Sequence, residues 1–287
     1  MPLAMGLKTS LIKDMGKRLR VGIVGCGAIG SSLAKAVARD LRAQAELVAL
    51  YDIDCEKTKV LSKLLSSRKL AVASLETLIN KSDLVIEAAS ARSSSEIAQK
   101  ALSKKRDIMI MSVGGIVSSF KKLSRLAQKH DAKIYIPSGA ISGIDALKGA
   151  RLGRLKSVTL TTRKNPVSFK GVEYVKKRGI NLDKMKKDTV LFSGSAKQAV
   201  RYFPQNINVA GILSIAGIGE DRTKIKIVAS PKTKKNIHEI EIDSEAAKII
   251  TRSENVLHPE NPKTSYLAVL SAIATLKQIL EPIKIGT

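Results

Sequence analysis

Gly25, Gly27 and Gly30 stand at a spacing with a specific chemical use. The run Gly25-Cys26-Gly27-Ala28-Ile29-Gly30 directly follows the apolar stretch Leu19 to Val24 and opens a segment of helix-forming composition, Ser31 to Arg42. In such a context the first glycine permits a tight turn and the second lets the backbone approach a pyrophosphate. The third lets the helix sit close on the strand. Backbone N–H groups from Ala28 and Ile29 onward then face the phosphate charge. Asp52 lies 22 residues beyond Gly30, at the end of the next apolar run, where a carboxylate accepts hydrogen bonds from the adenosine ribose. An acid there repels a 2′-phosphate and favours NAD, while Lys57, Lys59 and the positive field of the chain leave NADP usable. NAD or NADP is therefore the expected cofactor. Cys26, inside the motif, reads as a small filler beside the phosphate turn.

These residues need a sheet to position them. Apolar runs at Leu19–Val24, Leu47–Tyr51, Leu70–Ala73, Leu84–Ala88, Asp107–Ser112 and Lys133–Ile136 alternate with helical segments, which predicts six parallel strands with right-handed crossovers. Ser74 is placed to cap the helix that follows it. The expected fold class is α/β, a Rossmann-type doubly wound sheet over residues 19–145, joined to a second, smaller α+β domain over 146–265. Residues 1–18 read as a basic extension. Residues 266–287 hold a C-terminal helix that can pack back on the first domain. Small residues cluster where later strands end: Ala88-Ala89-Ser90, Ser112-Val113-Gly114-Gly115, and Pro137-Ser138-Gly139-Ala140. Open α/β sheets bind ligands at those ends. In the second half, Lys224–Ala229 and Ile237–Ile242 predict an antiparallel hairpin. His238 shares a face with Ile240 and Ile242, a pattern that on its own describes a core histidine.

Composition limits the alternatives. The 287 residues are 44% hydrophobic and 26% charged, ordinary for a folded chain of one or two domains. No apolar run is long enough to span a membrane, and Met1–Arg20 is interrupted by charges, unlike a secretory leader. Two cysteines supply neither a disulfide framework nor a four-ligand metal site, and no metal is expected. A cytoplasmic location fits. The net charge of +25 raises nucleic acid as a partner. Against it, the first 150 residues hold 25 Lys/Arg against 13 Asp/Glu and the rest 25 against 12, so the excess is spread evenly. Only five Tyr, four Phe and no Trp are available for base stacking.

Beyond the glycine motif, more specific blocks carry a resemblance. They are Pro137-Ser138-Gly139-Ala140 with Gly143-Ile144-Asp145-Ala146-Leu147, Thr162-Arg163-Lys164-Asn165-Pro166, and Phe203-Pro204-Gln205-Asn206-Ile207-Asn208-Val209-Ala210. Further on stand Ala216-Gly217-Ile218-Gly219, Asn236-Ile237-His238-Glu239-Ile240, and Glu254-Asn255 with Asn261-Pro262-Lys263-Thr264-Ser265. In these the chain resembles the NAD(P)-dependent L-aspartate dehydrogenases, from Val21 to about Leu280. Two departures stand out: Asn165 where the family often has proline, and the segment Glu254 to His258.

The resemblance implies that His238 is the catalytic residue and that Ala140 and Asn208 contact the nicotinamide end of the cofactor. It implies oxidation of L-aspartate, a small dicarboxylate amino acid, to iminoaspartate, then oxaloacetate and ammonia. It further implies a homodimer, a link to NAD biosynthesis, and hand-off of the imine to a quinolinate-forming enzyme. An imidazole titrating near neutrality suits the proton transfers. The substrate carboxylates need fixed donors, for which Arg163, Lys164, Lys263, Thr264 and Ser265 are candidates, with Arg163, Lys263 and Thr264 taken forward. The alternatives are another two-domain NAD(P) oxidoreductase, of homoserine dehydrogenase or dihydrodipicolinate reductase type, or a dinucleotide-sensing or nucleic-acid-binding protein without turnover.

Overall fold

The computed structural model describes residues 17–203, 208–259 and 261–286. The first domain is built on a five-stranded parallel sheet of β1 (Leu19–Val24), β2 (Ala45–Tyr51), β3 (Leu84–Glu87), β4 (Asp107–Ile110) and β5 (Ile134–Tyr135), in the order β2-β1-β3-β4-β5. Helices α1 (Ala28–Arg39), α2 (Cys55–Leu64), α3 (Leu75–Lys81), α4 (Ser94–Ser103) and α5 (Phe120–His130) connect them. The central strands β1 and β3 are apolar on both faces because helices cover both, and Val21, Ile23, Val85 and Ile86 are fully buried. Ser74 caps α3, its side chain accepting from Thr77 N–H.

The third of the six expected parallel strands, Leu70–Ala73, does not form. Arg68–Leu70 makes a single 3-10 turn, and Ala71 touches β2 by one isolated bridge to Leu50. The run lies beside the edge strand β2, and Leu70 and Val72 are partly buried against the domain's cores.

The second domain holds β6 (Leu155–Lys164), β7 (Thr189–Ser195), β8 (Lys224–Ala229), β9 (Asn236–Ser244) and β10 (Lys248–Asn255), ordered β10-β9-β6-β8-β7. The hairpin expected between β8 and β9 is replaced by a different pairing. β6 lies between them, parallel to β8 and antiparallel to β9, and the antiparallel partner of β9 on its other side is β10. Strand character was legible in the alternation of Ile237 to Ile242, but pairing depends on which distant strand covers which edge.

Helices α6 (Ile144–Ala150), α7 (Glu173–Lys177), α8 (Ala196–Tyr202) and α9 (Asn208–Ala216) belong to this half, and Leu147, Ile212 and Leu213 share one core with Leu160, Ile227, Ile240 and Ile242. Phe169, Tyr174, Phe192, Tyr202 and Phe203 stack together at ring separations of 4.8 to 6.4 Å. Much of the small aromatic content is thus used for packing.

A short pair, β11 (Leu257–His258) and β12 (Asn261–Ser265), leads into α10 (Tyr266–Leu280). Thr264 and Ser265 belong to β12, and Ser265 occupies the N-cap position of α10 without a side-chain capping bond. Ala272 and Leu276 of α10 share a core with Val21, Ile23, Leu33 and Val37, so the last helix packs against the first domain. Among the described residues no helix is long and apolar enough to cross a membrane.

Candidate active site

The cofactor cradle begins at the turn from β1 into α1. Gly25 has φ +95°, and a Cβ there would lie 2.4 Å from the carbonyl oxygen of Ala88. A Cβ on Gly30 would come within 1.8 Å of the Gly25 carbonyl oxygen, so only glycine lets the helix close onto the turn. Gly27 differs, because a Cβ there would meet nothing within 4 Å. Its missing side chain serves no internal contact and leaves room above the turn. Gly27 is also the N-cap of α1, with no side-chain capping bond and no acid in the first turn. The first N–H groups of α1, at Ala28, Ile29 and Gly30, therefore have no acid of the helix's own first turn beside them, which suits them to an anionic ligand.

Asp52 stands where β2 ends and accepts from Cys26 N–H at 2.7 Å and Asp54 N–H at 2.9 Å. The two bonds fix its carboxylate at the edge of the cradle. Cys26 itself is buried, and burial pushes its thiol up to about 11, so it serves as filler and not as a nucleophile. These features together fit a dinucleotide: space above Gly27, a helix N-terminus without its own anion, and an oriented acid at the ribose position.

Ala88 and Ala89 follow β3 and wall the turn. They are held by Glu87, a residue the sequence reading passed over as the end of an apolar strand. Glu87 is fully buried and accepts from Ala89 N–H and Ser112 N–H, both at 2.9 Å, joining the loops after β3 and β4. Burial pushes its carboxyl up, opposed by those backbone donors. One acid in an otherwise apolar parallel strand was the available signal.

The second domain supplies the opposite wall. Asn208 opens α9 and its Oδ1 accepts from Gly114 N–H at 3.1 Å, binding this helix to the loop after β4. Gln205, Asn206 and Ile207, from the same sequence block, lie outside the described residues. The loop after β5 lies against the inner face of the second sheet through three residues of β10. Asn255 Nδ2 donates to the Ala140 carbonyl at 2.9 Å, Ser253 Oγ is 3.1 Å from Ser142 Oγ, and Thr251 donates to the Ser142 carbonyl. Asn255 also donates to the Asn236 carbonyl, so it ties Ala140 to the start of β9.

His238 lies two residues along β9 from Asn236, opposite Ser253 in register, on this same inner face. Its ring is 4% exposed, with Nδ1 3.0 Å from Thr162 Oγ1 on β6. The expectation of an imidazole titrating near neutrality is corrected here. Burial first, and the charge of Lys164 second, bring His238 down to about 3, so the resting ring is neutral.

Alternation along β6 separates two neighbouring candidates. Arg163 points to the outer face, where it pairs with Glu239 and Asp188 while Arg252 also pairs with Glu239. It is thereby placed away from His238. Lys164, one residue on, faces inward and is buried. The side chain of Lys263 lies outside the described residues. Thr264 is half-buried beside Ser265, whose Oγ receives Asn236 Nδ2 at 3.5 Å. His258 is buried on β11, with Nε2 3.4 Å from Ser32 Oγ on α1 and its ring edge-to-face on Tyr266. It joins the β11–β12 pair to the cofactor helix.

Comparison with known proteins bears on the family and the fold. Residues 145–279 match the family model for the C-terminal domain of aspartate dehydrogenase, and residues 25–137 match that for the NAD-binding domain of homoserine dehydrogenase. An L-aspartate dehydrogenase of Methanosarcina mazei is 46% identical over 271 residues, 94% of this chain and 100% of that protein. Among solved structures, aspartate dehydrogenase from Thermotoga maritima superposes with a TM-score of 0.69 at 24% identity, covering 94% of this chain and 100% of that one. A homoserine dehydrogenase from Thiobacillus denitrificans superposes at 0.60 with 13% identity, covering 92% of this chain and 73% of that one, a likeness of fold alone.

Proposed function

Since the chain belongs to the L-aspartate dehydrogenase family, we propose that it oxidises L-aspartate with NAD or NADP in the crevice between its two domains, with His238 as the catalytic base. The observation that carries the residue assignment is the position of His238, on the sheet face that Asn255, Ser253 and Thr251 press against the Ala140–Ser142 loop.

A nicotinamide held at Asn208 and Ala140 would supply the acceptor for the hydride leaving the substrate Cα. The protein's residues handle orientation and protons. Oxidation needs a neutral amine, and a neutral imidazole is ready to take the proton an ammonium must lose. When Nδ1–H donates to Thr162 Oγ1, Nε2 carries the lone pair for that transfer. The products are iminoaspartate, reduced cofactor and a proton. Water then adds to the imine, and the same ring can remove the proton of that water before ammonia leaves and oxaloacetate remains.

Burial of His238, 4% exposed, limits the access of bulk water to the ring. Asn208, bonded to the loop after β4, and Ala140, bonded to Asn255, are the residues we assign to the nicotinamide end, and Gly25 to Gly30 with Asp52 to the adenosine and phosphate end. We further propose a cytoplasmic homodimer that feeds NAD biosynthesis. Val190 and Ile250, exposed on the outer side of the second sheet, support a subunit contact there. The readiness of an imine to hydrolyse favours its transfer to an enzyme that consumes it.

The direct test follows absorbance of the reduced cofactor with L-aspartate, against D-aspartate, L-glutamate and L-homoserine. Turnover confined to L-aspartate supports the assignment. Turnover with homoserine alone selects the alternative oxidoreductase. Salt-dependent nucleic-acid binding without any reduction selects a non-catalytic role.

A further inference from the structure

Two serines brace the turn that opens α1. The Ser31 hydroxyl donates to the Cys26 carbonyl at 3.0 Å, and the Ser32 hydroxyl donates to the Ala28 carbonyl at 2.9 Å. A peptide unit is planar, so a restraint on its carbonyl oxygen also sets the direction of the N–H on the same unit. Ser31 thereby restrains the N–H of Gly27, and Ser32 restrains that of Ile29, one of the first donors of the helix.

Ser32 is itself held from outside the first domain. Its Oγ lies 3.4 Å from Nε2 of His258 on β11. The single hydroxyl hydrogen of Ser32 is used on Ala28, so its oxygen accepts and Nε2–H of His258 donates. The imidazole is 5% exposed, and Tyr266 sets its orientation, edge-to-face at 5.5 Å. Tyr266 N–H donates in turn to the Val256 carbonyl at 2.9 Å. Just before this segment, Asn255 donates to the carbonyls of Ala140 and Asn236. The stretch from Asn255 to His258 thus leads from the sheet that carries His238 directly to the helix that follows the glycine turn.

On the reading that a dinucleotide lies over the turn from β1 into α1, we propose that His258 is a positioning residue for its diphosphate, acting through Ser32 on the Ala28–Ile29 peptide. The imidazole N–H draws electron density from the Ser32 oxygen, which makes the hydroxyl a stronger donor to the Ala28 carbonyl. The polarised carbonyl leaves the Ile29 N–H a stronger donor toward an anion, because hydrogen bonds in a chain reinforce one another. Cofactor affinity is then set in part by a strand that continues from the second sheet, and not by the glycine turn alone.

The test is a double-mutant cycle read by calorimetric titration of the full chain with NAD, in the absence of aspartate. His258→Phe keeps a ring against Tyr266 and removes the N–H, while Ser32→Ala removes the relay. Each should weaken NAD binding by about three- to tenfold, the range for one hydrogen bond, and the double variant should be no weaker than the poorer single one. His258→Gln, whose side-chain amide N–H reaches the place of Nε2–H, should restore affinity to within about twofold of wild type although it lacks the ring, a rescue that a packing role would not show. The KM for L-aspartate and kcat at saturating NAD should stay within about twofold in all three single variants. Unchanged NAD affinity in His258→Phe, losses that multiply in the double variant, or a His258→Gln protein as weak as His258→Phe overturns the proposal. Wild-type protein that binds no NAD overturns the cofactor reading and this proposal with it, whereas wild-type affinity retained by every variant overturns the proposal alone.

Discussion

Replacing Gly27 by alanine separates what the phosphate turn does for folding from what it does for the cofactor. A Cβ at Gly27 meets no protein atom within 4 Å, and the backbone there, φ −73° and ψ −168°, is open to any residue. Alanine is a poorer N-cap than glycine by up to about 1 kcal/mol. It also restricts the unfolded chain, which returns about 0.4–1 kcal/mol. The cofactor-free protein should therefore melt within a few degrees of wild type.

Binding should change far more. A methyl group in the space above the turn displaces the diphosphate from the N–H groups of α1, and losing two such charge-assisted bonds costs about 3–6 kcal/mol. In wild type, NAD at 100 times its Kd adds about 2.7 kcal/mol of stability. At about 2–4 °C per kcal/mol, that is a rise in Tm of roughly 5–10 °C. In Gly27→Ala at the same concentration the rise should fall to under about 2 °C. Gly30→Ala is the control, since its Cβ would lie 1.8 Å from the Gly25 carbonyl oxygen and the cofactor-free protein itself should be destabilised. A Gly27→Ala protein with the full NAD-dependent rise would show that the diphosphate does not pass over this turn.

Two further outcomes follow from the same geometry. Asp52→Asn removes the negative charge at the ribose end while keeping an acceptor for Cys26 N–H, and it should lower the KM ratio of NADP to NAD by about tenfold; an unchanged ratio removes Asp52 from cofactor choice. The buried imidazole of His238 also makes stability depend on pH. Its folded value near 3 lies below the unfolded value of 6.5, so the unfolded chain takes the proton first. Stability is then complete above about 6.5 and falls by about 1.4 kcal/mol per pH unit as the pH drops toward 3. Denaturant titrations of wild type and His238→Gln should diverge in that window, and parallel curves would contradict the burial of a neutral ring.

Much of the site was legible because its determinants are local. Gly25, Gly27 and Gly30 define one turn, Asp52 closes the next strand, and Ala88, Ala89 and Ala140 end later strands, so spacing alone ordered them. The strand carrying His238 was legible too, but its role was not, since a buried face looks the same whether it meets a core or a crevice. Chain-distant pairing was the part that local pattern could not give. The insertion of β6 between β8 and β9 decides that Lys164 and not Arg163 shares the face of His238, and no window of sequence contains that fact. Glu87 was missed for the same reason, because its partner Ser112 lies on the neighbouring strand's loop, 25 residues away.

The central claim, that the imidazole of the second domain serves the reaction carried out on the cofactor of the first, is tested most directly by the steady-state kcat of His238→Asn with L-aspartate and saturating NAD. The expected result is a fall of at least about 100-fold, with the NAD-dependent rise in Tm retained. Turnover within a few-fold of wild type would contradict it.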